Sequence, residues 1–220
     1  RWRLDDLYAS PEDPALDADV ARARSDAQAF AARYEGKLAA LTPAELADAI
    51  EAFERLEELM GRVGSYIGLM HVTRLDQAEA GRRYQTVSER LTEISSLLLF
   101  FTLEFNRLDE ALLEAGYAAE PRLARYRPWA DQQRAFRPHQ LEDRLEKLLL
   151  EKSVSGRAAW VRLFDESWAA ARFTIDGEEL TSDAVLSRLS DRDPERRRKA
   201  AAAFSAGLAD RVPMLTLIYN

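Results

Sequence analysis

Apolar residues recur along most of this chain at spacings of three and four, the period of one face of an α-helix. Leu16, Val20, Ala23, Ala27, Phe30 and Tyr34 form the first such stripe. Ser10-Pro11-Glu12-Asp13 precedes it, supplying an N-cap hydroxyl, a proline at the first helical position and an acid in the first turn. Gly36 ends the segment. Thr42-Pro43-Ala44-Glu45 reads as a capping box, and it opens a second stripe of Leu46, Ile50, Phe53, Leu56, Met60, Val63, Ile67 and Met70. The third stripe is the most regular: Tyr84, Val87, Leu91, Ile94, Leu98, Phe101, Phe105, Leu108 and Leu112 alternate spacings of three and four without a slip. It predicts one helix from Asp76 to about Ala115, roughly 60 Å long and packed nearly parallel to its neighbours.

After Gly116 the rhythm shortens. Pro121, Pro128 and Pro138 bound short helices, one of them predicted from Pro138 to Lys152, and Trp160, Leu163, Phe164 and Trp168 mark another after Ser155-Gly156. Asp176-Gly177 between Phe173-Thr174-Ile175 and Glu178-Glu179-Leu180 predicts a type I′ β-hairpin. Thr181 and Asp193-Pro194 cap two further helices, the second spanning about Arg196 to Leu208. The expected fold is all-α, an elongated antiparallel helix bundle with one short hairpin near 173–180. The expected divisions are a long-helix bundle over 1–116, short helices plus hairpin over 117–190, and a third region over 191–220. The first residue is Arg1, and the apolar run Met214–Tyr219 reaches Asn220 without a capping residue. Both features lead us to expect a piece of a longer gene product.

Composition narrows the chemistry. Gly (9) and Pro (8) fall well below their usual joint share of about 12%, in keeping with long helices. With 220 residues the chain buries roughly 70% of its unfolded surface. Cys is absent, which excludes disulfides and thiolate chemistry and fits a reducing compartment. A net charge of −7 argues against nucleic acid or anionic lipid as the main partner. The opening residues are charged where a signal peptide needs an apolar core. The densest apolar run, Leu97–Phe101, is far too short to cross a bilayer.

Four groups carry candidate chemistry. His139, Glu142 and Glu146 on one helix face could in principle ligate a metal, but catalytic zinc needs three protein ligands and no second His is nearby in sequence, and polar residues are routine in a first helical turn. His71, between Met70 and Val72, reads as a partly buried polar residue. Gly61, Gly64 and Gly68 fall inside the second stripe rather than between a strand and a helix. Close approach of another helix backbone is therefore the expected reason for them. Arg196-Arg197-Arg198-Lys199 reads as a solvated helix face with intrahelical ion pairs. No catalytic or metal-binding residue is assigned on this basis.

Several segments in order resemble the oligoendopeptidase F family of zinc metallopeptidases, of the thimet-oligopeptidase-like group. Trp2-Arg3-Leu4-Asp5-Asp6-Leu7-Tyr8 resembles that family's W-x-L-x-D-L-Y opening. Tyr126-Arg127-Pro128 to Arg137-Pro138-His139-Gln140-Leu141 is similar to its mid-region signature, as is Glu151-Lys152-Ser153-Val154-Ser155-Gly156 through Phe164. Asp176-Gly177-Glu178-Glu179-Leu180-Thr181 looks like its hairpin, and Asp193-Pro194-Glu195 through Ala200 like the helix with which its catalytic region begins.

The resemblance implies a cytoplasmic zinc endopeptidase that hydrolyses internal bonds of short unstructured peptides inside a deep helical channel. Two His and the general-base Glu of an H-E-x-x-H helix, with a later Glu, would make its site, zinc polarising the scissile carbonyl and its water. This sequence has no H-E-x-x-H: Val72-Thr73-Arg74-Leu75 follow His71, and Gln140-Leu141-Glu142-Asp143 follow His139. The expectation is therefore an N-terminal portion forming a wall of the channel, inactive alone, with zinc bound outside it and residues 191–220 starting the catalytic region. The alternative is a free-standing helical peptide- or protein-binding module without catalysis. A coiled-coil structural protein is a weaker rival, because the heptads stop near Leu112.

Overall fold

A computed structural model describes residues 3–220; Trp2, the first residue of the N-terminal motif, lies outside the described residues. The chain is mainly α-helical with one two-stranded hairpin, as the periodicity predicts. Its helices are α1 (Pro14–Tyr34), α2 (Pro43–Val72), α3 (Ala78–Arg107), α4 (Glu110–Ala119), α5 (Pro121–Arg125), α6 (Arg127–Ala135), α7 (Asp143–Lys152) and α8 (Arg157–Ala169). Strands β1 (Phe173–Ile175) and β2 (Glu178–Leu180) follow, and then α9 (Ser182–Arg188), α10 (Pro194–Ala209) and α11 (Val212–Tyr219). The chain forms two compact units, one reaching to Thr73 and including Glu79–Val154, the other made of Arg74–Ala78 with Ser155–Asn220. The change of rhythm at Gly116 is thus a change of helix length, while the compact units divide at 154.

The first unit is built on α1, α2 and α3. Tyr8 packs edge-on against Tyr66 near the start of α1 and the end of α2, whereas Phe30 meets Phe53, so α1 and α2 run antiparallel. His71 stacks on Tyr84 and Phe53 on Phe101, which makes α2 antiparallel to α3 as well. The predicted stripes form the core: all six apolar positions of α1 are buried, and Phe101 and Phe105 are fully enclosed. Phe30, Phe53, Phe101, Phe105 and Trp129 form a continuous aromatic cluster. Helices α4, α5 and α6 pack on this core, with Arg122 bridging to Asp48 at 2.7 Å, and α7 is tied to α3 by the Arg107–Asp143 pair.

Three boundaries differ from expectation. The first helix begins at Pro14, not Pro11, because Asp13 caps the Ala15 amide while Ser10 accepts from Glu12 in a preceding turn. The third helix stops at Arg107, not Ala115. Asp109 accepts from the amides of Ala111 and Leu112 and starts α4 afresh, and Leu112, last of the regular stripe, is exposed. The predicted helix 138–152 is divided into a 3₁₀ turn at Arg137–His139 and α7, because Gln140 turns aside to bond Asn106.

The second unit has its own small core of Phe173, Ile175, Leu180, Val185 and Ala200. Phe173 pairs with Leu180 in the antiparallel hairpin. Asp176 (φ 52°) and Gly177 (φ 84°) both have positive φ, as a type I′ turn requires. The Thr42–Glu45 capping box and the Thr181 and Asp193 caps form as predicted.

Candidate functional site

His139 lies in the 3₁₀ turn, Glu142 is the N-cap residue of α7, and the Glu146 carboxylate accepts from the Leu141 amide at 2.8 Å. Glu146 therefore holds the backbone that leads into α7. Among the described residues no group of three or more His, Asp or Glu side chains is placed to hold a metal ion, so the residues present do not fit a zinc site. His71 is buried, with its ring 4.5 Å from that of Tyr84 and nearly parallel to it.

The expected close helix approach at the α2 glycines is not found. A Cβ added at Gly61 or Gly68 would meet nothing within 4 Å, and at Gly64 it would meet only a Leu91 methyl at 3.6 Å. The close approach is instead at Gly207 of α10, where a Cβ would stand 2.5 Å from the Phe173 ring. Sequence reading missed it because Gly207 is embedded in an alanine-rich helix that gives no sign of what lies opposite. The basic run behaves as expected, Arg198 pairing with Glu195 and Arg196 reaching Asp191 and Asp193. Lys199 goes further, bridging to Asp176 of the hairpin at 2.7 Å.

A concavity within the first unit was not legible from any motif. It is a cleft of about 560 Å³ between α2, α3, α6 and α7. Each long helix offers one stripe to it: Ile50, Phe53, Glu54 and Glu57 from α2, and Ser95, Leu98, Leu99 and Thr102 from α3. Trp129 and Gln133 of α6 and Leu150 of α7 complete the walls, beside Tyr126. Its volume is that of a small-molecule pocket, mostly apolar with a few polar groups. The only signal in the sequence was the i, i+3, i+4, i+7 arrangement on α2, where two glutamates continue an apolar stripe.

The electrostatics of the cleft are one-sided, because Glu54 and Glu57 are its only charged lining residues. The Tyr126 hydroxyl donates to Glu54 at 2.5 Å and accepts from Arg125 Nη2 at 2.9 Å, so Glu54 is linked through the phenol to a cation. Desolvation and the Glu54 carboxylate hold the Tyr126 phenol above its ordinary range. Glu57 makes no hydrogen bond or ion pair among the described residues, and the protein mass around it pushes its carboxyl pKa up.

Residues 104–173 match the Oligopeptidase F family model, which bears out the family resemblance read from the sequence. Among solved structures, the chain is similar to oligoendopeptidase-F from Enterococcus faecium, at 19% identity and a TM-score of 0.77. That match covers 89% of this chain and 40% of the other. It is also similar to a putative peptidase from Chlamydophila abortus, at 17% identity and a TM-score of 0.47, over 95% of this chain and 36% of that one. The chain therefore spans well under half the length of these proteins. No curated protein shows a significant match.

Proposed function

We propose that this chain is the N-terminal helical region of an oligoendopeptidase F-like zinc metallopeptidase that hydrolyses internal bonds of short unstructured peptides. The observation that carries this reading is the match of residues 104–173 to the Oligopeptidase F model, on a fold shared with an oligoendopeptidase-F structure. In this reading the long helices form a wall of the peptide channel and act in substrate admission. Zinc and its ligands lie in a part of the enzyme outside these 220 residues, since the described residues offer no metal-holding group. The absence of cysteine and the acidic balance fit a cytoplasmic enzyme.

The reading is tested by reading the source gene beyond the codon for Asn220. An H-E-x-x-H helix a few hundred codons on, with a later glutamate, is the expected result; a stop codon at or just after Asn220 would overturn the reading. The purified 220-residue polypeptide should show no chelator-sensitive cleavage of a quenched fluorescent peptide, while the full gene product should cleave it.

A further inference from the structure

The cleft between α2, α3, α6 and α7 combines apolar walls with an unbalanced negative charge. Its apolar lining is made of the aromatic rings of Phe53 and Trp129 with Leu98, Leu99 and Leu150. No lysine or arginine lines it. The Arg125 guanidinium is engaged by the hydroxyl of Tyr126, a lining residue. Glu57 stands one helical turn beyond Phe53 on the same face of α2, without a partner among the described residues. An anionic ligand would meet two carboxylates there. A neutral apolar ligand would fill the walls but leave the Glu57 carboxylate beside it without a partner. A cation supplies that partner and can also lie over the electron-rich faces of Trp129 or Phe53.

We propose that this cleft binds a small amphipathic organic cation, a ring or chain body ending in a protonated amine. The body lies between Phe53, Leu98, Leu99 and Trp129, and the ammonium pairs with Glu57. The volume of about 560 Å³ suits a ligand of one or two fused rings with its linker. The inference stands on the first unit alone and does not depend on the peptidase reading.

Three probes of nearly one shape test it by isothermal titration calorimetry on the 220-residue chain at neutral pH: 2-(1-naphthyl)ethylamine, 2-(1-naphthyl)ethanol and 3-(1-naphthyl)propionate. The amine is expected to bind at least about fivefold more tightly than the alcohol, and the carboxylate most weakly. Glu57→Gln should bring the amine to the alcohol's affinity and leave the alcohol's unchanged. Ser95→Phe, which fills the α3 side, should abolish binding of all three. If Ser95→Phe lowers the melting temperature, Glu57→Gln decides alone, because that carboxylate reaches solvent and is not needed for packing. Equal affinity for the three probes, tighter binding of the carboxylate, an amine affinity unchanged in Glu57→Gln, or no heat from any probe at millimolar concentration would each overturn the proposal.

Discussion

Two glycines in helices of this protein respond oppositely to the same substitution. At Gly68 a methyl group meets open space, so Gly68→Ala should stabilise the first unit by about 0.5–1 kcal/mol through reduced backbone entropy and better helix propensity. At Gly207 the methyl would enter the Phe173 ring, which is buried and stacked on Phe204 at 5.3 Å and cannot swing away. Gly207→Ala should destabilise the second unit by about 1–3 kcal/mol. Thermal melts of the two variants should shift in opposite directions.

Tyr8 gives a pH signature on the same scale. Burial, the hydrogen bond its hydroxyl donates to Asp19 at 2.8 Å and the Asp19 charge push its phenol up to about 12, against the nearby Arg62 and Arg22. The unfolded chain ionises this phenol near pH 10 while the folded chain keeps it neutral. Its contribution is therefore full below pH 10 and is lost as pH rises towards 12. Tyr117 and Tyr126 shift the same way. Melting temperature should fall between pH 10 and 12, and less steeply in Tyr8→Phe.

At the scale of elements, the junction of α3 and α4 shows how a regular pattern is overruled. The stripe from Tyr84 to Leu112 has no helix-breaking residue, yet the helix stops at Arg107. Arg134 of α6, only 10% exposed, donates to the carbonyls of Phe105 and Leu108 at 3.3 and 2.9 Å and pairs with Glu110 at 2.7 Å. It thereby satisfies the acceptors that the broken helix leaves, while Asp109 caps the start of α4. Arg134→Met keeps most of the stem and removes these bonds. It should cost about 1.5–3 kcal/mol, read as a lowered urea midpoint. No local rule points from Arg134 to the Leu108 carbonyl 26 residues away, just past the helix end. By contrast the capping box at Thr42, the Asp176-Gly177 turn and the buried stripes of α1 and α2 were all legible, because each depends on residues within one or two turns.

At the scale of the whole chain, charge and division into units matter most. A net charge of −7 and an isoelectric point near 5.1 predict that the protein passes through a heparin column without retention at physiological salt. Retention there would show that the arginines of α10 form an accessible anion-binding face rather than the ion-paired one observed. Among the described residues no single helix is long and apolar enough to cross a membrane.

The sequence alone determined which segments are helical, where the hairpin turns, which faces are apolar and which family the middle of the chain resembles. Those features are set by spacing and capping between near neighbours. The tertiary structure decided where the long helix breaks, which glycine is pressed by a ring, and that residues of four helices line a cleft with an unpaired glutamate among them. Each of these depends on groups far apart in sequence, brought together when helices that bury their apolar faces leave other faces opposed.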